Sequence, residues 1–214
     1  MTSIKNGKNL IRVCVNINMK NNFVTAEFVT PKHPDKICDF IADSILDEYY
    51  KYDKDSRVAV EVMGGHKLVT INGEVTSTHK PDIEKLVKVI VGDDFRVIVN
   101  IVSQSFEISR GVDTGGAGDQ GIMNGYATRE TDSYMPFAYD IARKLCMYLY
   151  EIYPYDGKVQ ITTVGRQIKT VVASFQNTTH EELLSRVSSF ITAEEYIINH
   201  AGDWSMGGFD ADTG

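Results

Sequence analysis

The chain has 214 residues, and because 43% of them are hydrophobic it can bury the core of one domain or of two small ones. A net charge of -7 and a pI of about 5.2 argue against a nucleic-acid or anionic-membrane surface, while a local basic pocket for a phosphorylated small molecule stays compatible with them. The three cysteines are widely spaced and form no CxxC pair, which favours a reducing compartment, so we expect a cytoplasmic protein.

The first apolar stretch, LIRVCVNI, is too short and too interrupted for a signal sequence or a membrane span. Its apolar residues alternate from Ile11 to Ile17, which predicts a half-buried strand added at the edge of a sheet. A second interpretation stays open, in which Met19 is the real start and the preceding leader is dispensable.

A helix is predicted next, because apolar residues recur at helical spacing from Ile37 to Ile45 and Pro34 suits a first turn. His33 and Asp35 then lie at the helix N-terminus, where unpaired N–H groups favour anions. A histidine and a lysine there could hold phosphate, with Asp35 on a bridging hard cation. Alternatively, Asp35 complements the helix dipole and Lys36 is solvated.

The following segment predicts a strand hairpin and a helix. Val58, Val60 and Val62 alternate, the chain turns at a glycine, and a second apolar strand returns around 68–71. Helical spacing from Ile83 to Ile90 follows Pro81, which we place in the first turn of that helix. Another apolar strand is expected at 95–102.

A glycine-rich run follows, GVDTGGAGDQGIMNGYAT, at residues 111–128. Such density is typical of close approach to a ligand, although the run fits neither GxxxxGK[ST] nor GxGxxG. Asp119 at its centre could receive a ribose or an ammonium group. The alternative is a flexible loop with a solvated acid.

The chain then repeats its own pattern at a constant offset of 101 residues, with Asp55 over Asp156 and Gly64 over Gly165. A helix at 137–149, strands at 159–163 and 168–173, and a helix capped by Thr178 or Thr179 match the first copy element by element. We therefore predict an α+β fold of two pseudo-repeated sheet-and-helix units. The predicted boundaries are 1–22 for an N-terminal extension, 23–125 for the first unit and 126–214 for the second.

Two further positions leave alternatives open. Asp156 and Lys158 open a strand and point the same way, either as part of a site or as a surface ion pair. Trp204, the only tryptophan, suits either core packing or stacking on a base. The remaining histidines are scattered, show no metal-ligand spacing and are expected in surface or turn positions: His66, His79, His180 and His200.

These segments together resemble the methionine adenosyltransferase (S-adenosylmethionine synthetase) family from residue 23 to 214. The motifs are TAEFVTPKHPDK, VAVE, NGEVTST, GVD, GGAGDQGIMNGYATRET, MP, DGKVQIT and GDWSMGGFDADTG. The glycine-rich run is highly specific, the HPDK run is strong, and the others are weak alone. The family has three pseudo-equivalent α+β domains, of which two are found here.

The resemblance implies an enzyme that joins L-methionine to ATP, with Mg²⁺ and K⁺ as cofactors and the site between the subunits of a homodimer. The methionine sulfur attacks the ribose 5′ carbon and the triphosphate leaves, to be split into pyrophosphate and phosphate. His33 is implied at the oxygen between ribose and triphosphate, Lys158 at the phosphates, Asp35 on Mg²⁺ and Glu61 at the K⁺ site.

The remaining implied ligands bind the two substrates. Methionine is assigned to Glu74, Gln104 and Asp212. ATP contacts, besides His33 and Lys158, are assigned to Asp119, Asp156, Ser174, Trp204 and Asp212, with Trp204 against adenine.

The sequence also departs from the family. Lys32 stands where the family has glycine before HPDK, the loop before GAGDQG is shorter, and the family continues beyond DADTG into a Lys/Arg-bearing region with further triphosphate ligands. One hypothesis is a miniaturised enzyme in which Lys32, Arg110, Arg129 or a partner subunit replaces the lost cations. A catalytically idle binding or regulatory subunit and a fragment of a longer chain are the alternatives.

Overall fold

A computed structural model describes residues 22–105, 110, 112–113, 115–117 and 120–214, together with the backbone of 2–6 and 9–13. At the N-terminus, β1 (Thr2–Asn6) and β2 (Asn9–Val13) pair antiparallel as a two-stranded sheet. This pairing corrects the prediction of a strand added to the edge of a larger sheet. Residues 14–21, where that strand was expected to continue, lie outside the described ranges.

The first repeat is a three-stranded sheet with helices packed on one face. Its elements in chain order are α1 (Pro34–Tyr52), β4 (Arg57–Gly65), β5 (Leu68–Thr76), α2 (Ile83–Val91) and β6 (Arg96–Ser103). β4 and β5 form an antiparallel hairpin, and α2 connects β5 to the parallel strand β6.

The second repeat has the same element order and the same strand directions. Its elements are α3 (Phe137–Ile152), β7 (Gly157–Val164), β8 (Gln167–Phe175), α4 (His180–Phe190) and β9 (Glu195–Ile198). β7 and β8 are antiparallel, and β9 runs parallel to β8. The predicted α+β fold of two repeated sheet-and-helix units is therefore confirmed.

Local capping explains where the helices begin. His33 is the N-cap of α1 with Pro34 in the first turn, and Thr179 caps α4 by accepting a hydrogen bond from the N–H of Glu182 at 3.3 Å. The placement of Pro81 in the first turn of α2 was wrong. Asp82 is the N-cap there, because its carboxylate accepts from the N–H of Lys85 at 3.0 Å.

Each repeat receives a segment from the other half of the chain. β3 (Phe23–Val29) pairs antiparallel with β7, so the strand that leads into α1 belongs to the sheet of the second repeat. In return, the tail, which we define as residues 202–214, reaches β4, where Gly64 and Gly214 exchange backbone hydrogen bonds of 2.9 and 2.8 Å. The domain boundaries drawn from the sequence stay a prediction.

Each repeat has its own hydrophobic core. The second core surrounds Phe175 and Leu145, which are fully buried between β7, β8 and α3. The first core packs Ile41 and Ile45 of α1 against the sheet and includes Phe209, from a short 3₁₀ turn at Gly208–Asp210. Each fully buried side chain of this size contributes roughly 1.5–3 kcal/mol through burial.

Among the described helices, none is long and apolar enough to cross a membrane. Cys38 and Cys146 are both buried and carry free thiols. Burial raises the pKa of the Cys146 thiol to about 12 and also raises that of Cys38.

Candidate active site

The N-terminus of α1 carries His33 and Asp35, as predicted. His33 Nδ1 accepts a hydrogen bond from the N–H of Asp35 at 3.3 Å and lies 3.6 Å from Asp35 Oδ2. The hydrogen bond from the N–H of Asp35 needs an unprotonated Nδ1, whereas a bond to the Asp35 carboxylate needs a protonated one. We favour the former, because 3.6 Å exceeds hydrogen-bond range. With Nδ1 as acceptor, Nε2 carries the proton and can donate to a ligand oxygen. The His33 side chain is 14% exposed and that of Asp35 69%, so Asp35 is open to a cation.

Lys158 and Ser174 are cross-strand partners on β7 and β8. Gly157 and Val159 are buried while Lys158 is exposed, which places Lys158 on the face of the sheet opposite the core. Lys158 Nζ lies 3.7 Å from Glu27 Oε1 on β3. The N–H of Thr30 donates to the Gly157 carbonyl at 2.9 Å, which holds the turn carrying His33 at the same end of the sheet as Lys158.

Asp156 lies just before β7 and is only 9% exposed. Its Oδ2 accepts a hydrogen bond from the N–H of Gly208 at 2.9 Å, so the carboxylate binds the tail. Lys158 instead pairs with Glu27, and the surface ion pair considered between Asp156 and Lys158 is therefore not formed.

The tail brings Trp204 and Asp212 to this end of the molecule. The Trp204 carbonyl accepts from the N–H of Asn177 at 2.9 Å, directly after β8. Gly214 lies against the backbone of Pro34 and Asp35, with no room there for a β-carbon. The structure thus brings one group of predicted residues to a shared region, which we call the α1 cluster: His33, Asp35, Asp156, Lys158, Ser174, Trp204 and Asp212.

Of the residues assigned to methionine and K⁺, Asp212 is in the α1 cluster. The others lie elsewhere, on the face of the first sheet that points away from α1. Pairing across the strands places Glu61 in a row with Asn72 and Asn100, whose side chains share a hydrogen bond of 2.6 Å. Glu74 lies opposite Ala59 on the same face. We call this surface the first open face.

Gln104 extends this surface just past β6. Its Oε1 accepts from Arg57 Nε at 3.1 Å and from the Thr76 hydroxyl at 3.3 Å, so its oxygen already has two donors. Arg57 in turn forms an ion pair of 2.9 Å with Asp113. A ligand at Gln104 would therefore be bound through its amide NH₂ group.

Asp119 lies outside the described residues, so its predicted role stays a prediction. Downstream, residues 120–128 have no regular secondary structure, and Ile122 and Met123 are almost fully exposed. Just after the run, Glu130 is held by two hydrogen bonds. Its carboxylate accepts from the N–H of Phe137 at 3.0 Å, and its carbonyl accepts from Arg166. Arg110 and Arg129, predicted as replacement cations, are exposed at either side of this run.

The candidate metal ligands, Asp35 and Glu61, are single carboxylates. Within the described ranges, no group of three or more His, Cys, Asp or Glu is arranged to hold a metal ion. Asp35 fits Mg²⁺ nonetheless, because this ion usually takes one or two protein carboxylates and completes its shell with water and substrate phosphates. Glu61, exposed beside the amide oxygens of its row, offers the hard oxygen ligands that a monovalent cation needs.

A separate cleft in the described part of the molecule does not contain the α1 cluster. It has a volume of about 990 Å³ and lies between α1, α2 and α3, with Lys32 and Lys36 near Phe28, Phe40 and Tyr150. His33, Asp35 and Lys158 are not among its lining residues. Apolar side chains dominate this cleft, whereas the α1 cluster consists mainly of charged and hydrogen-bonding side chains.

Sequence reasoning missed Gln176, which follows β8 and hydrogen-bonds both Asp156 and Ser205. The local pattern QNTT indicates only a turn, since the partners of Gln176 are 20 and 29 residues away. The sequence also carries no signal for the buried Asn199, whose side chain bonds both backbone groups of Phe175.

The fold and the site define a repeated α+β protein with an anion-favouring helix terminus beside a lysine-bearing strand. Two family models match it: the N-terminal domain of S-adenosylmethionine synthetase over residues 21–105 and the central domain over residues 114–203. The chain belongs to the S-adenosylmethionine synthetase family.

Individual members of this family are also similar to the chain. An S-adenosylmethionine synthase of Finegoldia magna is 34% identical over 92% of this chain and 64% of its own length, and one of Thermus thermophilus is 36% identical over 89% and 62%. A solved structure described as an unusual S-adenosylmethionine synthetase from Campylobacter jejuni has a TM-score of 0.75 at 32% identity, covering 90% of this chain and 62% of that one. The chain thus spans less than two thirds of the length of these relatives.

Proposed function

We propose that the protein is a methionine adenosyltransferase, which forms S-adenosylmethionine from ATP and L-methionine in the cytoplasm. The observation that supports this best is the α1 cluster. The start of α1, the paired strands β7 and β8, and the tail bring a histidine, a lysine, a metal-type carboxylate and a tryptophan together in a chain of this family. A nucleoside triphosphate can use the histidine and the lysine for its phosphates, the carboxylate for its metal ion and the tryptophan for its base.

The proposed reaction needs alignment and charge stabilisation more than proton transfer. A lone pair of the neutral thioether sulfur forms the bond to the ribose 5′ carbon, the bond from that carbon to the phosphate oxygen breaks, and the triphosphate leaves with the electron pair. No general base is needed, so catalysis depends on holding the reactants in line and on cations near the departing oxygens.

The residues of the α1 cluster have roles that suit this charge. His33 Nε2–H donates to the oxygen that leaves the 5′ carbon, and Lys158 binds the phosphates together with Ser174. Asp156 and Asp212 contact the nucleoside or the ammonium group of methionine, and Trp204 packs against adenine. Asp119, from the glycine-rich run, completes the substrate contacts.

Two cations belong to the proposal. Asp35 would hold Mg²⁺ and Glu61 would hold K⁺; bound there, Mg²⁺ supplies charge neutralisation to the triphosphate. Lys32, Arg110 and Arg129 add positive charge around the cluster. Lys32 directly precedes His33 in the turn that leads into α1.

A homodimer with the site between subunits is part of the proposal, and the separation of the two groups of residues supports it. Glu61, Glu74 and Gln104 are on the first open face, whereas His33 and Lys158 are at the end of the other sheet. A second copy that places its first open face against the α1 cluster would bring methionine ligands to the ATP ligands. Exposed Met63, Ile98 and Val102 on that face favour such contact.

A second candidate is a catalytically idle subunit that binds nucleotide and pairs with a complete synthetase. The chain spans 62–64% of the length of these relatives. This candidate predicts nucleotide binding without turnover, and turnover only after mixing with a full-length synthetase. A fragment of a longer chain would be revealed by the intact mass of the native protein.

The deciding experiment is mass spectrometry for S-adenosylmethionine after incubating the protein with ATP, methionine, Mg²⁺ and K⁺. Parallel reactions use His33→Ala and, as a matched control, His200→Ala at an exposed position outside the cluster. We expect product with the wild type and with His200→Ala and a loss with His33→Ala. Folded wild-type protein that makes no product would contradict the proposal and favour the idle subunit.

A further inference from the structure

Gln176 links two parts of the α1 cluster that are far apart in sequence. Its N–H donates to the Asp156 carbonyl at 3.0 Å, and its Oε1 accepts from the N–H of Asp156 at 3.3 Å. On the other side, its Nε2 donates to the Ser205 carbonyl at 2.8 Å. One side chain therefore joins the start of β7 to the tail, using its acceptor toward the strand and its donor toward the tail.

The Gln176 side chain and the ring of Trp204 both lie against Gly207. A methyl group added at Gly207 would lie 2.6 Å from the Trp204 ring and 2.7 Å from Gln176 Oε1, so these three groups meet without spare room. The backbone of Trp204 is also fixed, because its carbonyl accepts from the N–H of Asn177. The indole ring consequently has a defined position relative to Asp156.

We propose that Gln176 is a positioning residue of the adenine subsite, which holds Trp204 in place relative to Asp156 and so lowers the ordering cost of binding ATP. This inference rests on the proposed function, in which Trp204 packs against adenine. Binding is tighter when a loop is already held in its bound conformation, because less conformational freedom is lost on association.

Glutamine suits this position because its amide offers an acceptor and a donor at the end of one side chain. Glutamate keeps an acceptor for Asp156, but it sets a carboxylate oxygen against the Ser205 carbonyl and has no donor for it. Alanine removes both contacts and the packing against Gly207. The variants Gln176→Glu and Gln176→Ala thus separate the hydrogen bond to the tail from the complete side chain.

Trp204 provides its own reporter, since no other tryptophan contributes to the fluorescence. The test compares acrylamide quenching of tryptophan fluorescence in wild type, Gln176→Ala and Gln176→Glu. Gln167→Ala is the matched control, because Gln167 is at the opposite end of β8 and its Nε2 donates to the surface residue Glu194. Circular dichroism and thermal melting show which variants fold. If one Gln176 variant does not fold, the quenching of the other one tests the proposal.

We expect a higher quenching constant in both Gln176 variants and an unchanged one in Gln167→Ala. In turnover assays, the KM for ATP should rise by roughly threefold to tenfold, the loss expected for one or two neutral hydrogen bonds, while the KM for methionine changes little. A merely structural role would change both KM values or neither.

The two proposals fail in different ways. Quenching and ATP KM that equal the control values in a folded Gln176 variant would overturn the positioning role, whatever the activity. Wild-type protein that makes no S-adenosylmethionine would instead contradict the proposed function. Quenching does not depend on turnover, so its result still decides whether Gln176 holds Trp204.

Discussion

The two repeats share a topology, yet their exposed sheet faces differ in their charged side chains. The first open face combines Glu61 and Glu74 with the exposed apolar side chains of Met63, Ile98 and Val102. The equivalent face of the second sheet carries Lys158, Ser174 and several threonines, beside Glu27, Val172 and the exposed Phe23. In the proposed enzyme, the methionine and K⁺ residues Glu61 and Glu74 are thus on one repeat and the phosphate residues Lys158 and Ser174 on the other, so the proposal requires both repeats for a complete site.

The sheets also differ in how their outer edges are closed. β3 pairs along the whole of β7, with register from Phe23 opposite Val164 to Val29 opposite Lys158. Within the described part of the chain, the matching edge of β4 is bonded by the tail only near Gly64. The second repeat is therefore the more completely paired half, and the site residues on it have the firmer support.

The largest expected effect concerns stability. Phe175→Ala should lower the free energy of unfolding by about 3–5 kcal/mol, because it empties the centre of the second core. Phe209→Ala should cost less, since Phe209 belongs to the tail and packs at the margin of the first core, against Gly64 and Phe95. Urea unfolding of both variants measures the difference, and equal losses would contradict the ranking of the two repeats.

The next effect concerns catalysis. Lys158→Ala should lower the rate of S-adenosylmethionine formation by about 10²- to 10³-fold, as expected when one preorganised group at a developing negative charge is removed. Lys169→Ala is the matched control, because Lys169 pairs with Glu194 at the opposite end of the same sheet. Initial rates at saturating ATP provide the measurement. A similar loss in both variants would indicate a general structural effect and contradict the assigned role.

Self-association tests the first open face. Val102→Lys places a charge among its exposed apolar residues and should shift the protein from dimer to monomer without changing its circular dichroism. Val89→Lys on α2 is the control, because Val89 is even more exposed but lies away from this face. Sedimentation velocity distinguishes the species. A dimer that survives Val102→Lys would place the interface elsewhere.

A smaller, pH-dependent effect is expected at the end of α1. Hydrogen bonds from the backbone and hydroxyl of Thr78, and from Ser77, lower the pKa of Asp53 to about 2. A pKa below its unfolded value means that the ionised carboxylate stabilises the fold above about pH 4, and that this contribution disappears as the pH falls toward 2.

Asp53→Asn mimics the protonated side chain, so it should be less stable than wild type at pH 6 and approach wild-type stability near the pKa of about 2. Asp55→Asn, at an exposed neighbouring position, is the matched control. Chemical denaturation across the pH range is the measurement. A constant difference between Asp53→Asn and wild type would rule out this titration.

Local patterns explain why much of the fold could be predicted. The alternation of Val58, Val60 and Val62 and the helical spacing from Ile37 to Ile45 depend on which side of each element is buried, and both elements are confirmed. The location of His33 and Asp35 at a helix N-terminus is confirmed for the same reason. Their chemical roles stay predictions.

Long-range pairing could not be predicted in this way. Nothing in the local pattern of β3 indicates that it joins β7, more than a hundred residues away, or that the tail returns to Gly64. The N-terminal hairpin differs from the prediction because β1 was an unrecognised partner for β2. The start of α2 differs because Asp82, and not Pro81, satisfies the first free N–H groups.

The most direct test of a site shared between copies is complementation of two inactive variants. His33→Ala removes a residue of the α1 cluster, and Glu74→Ala removes one of the first open face. The two proteins are unfolded, mixed in equal amounts and refolded together, and S-adenosylmethionine formation is compared with that of each variant refolded alone. Heterodimers that contain one intact site predict recovery of about a quarter of wild-type activity. No recovery, with heterodimers demonstrably formed, would contradict a site built from two copies.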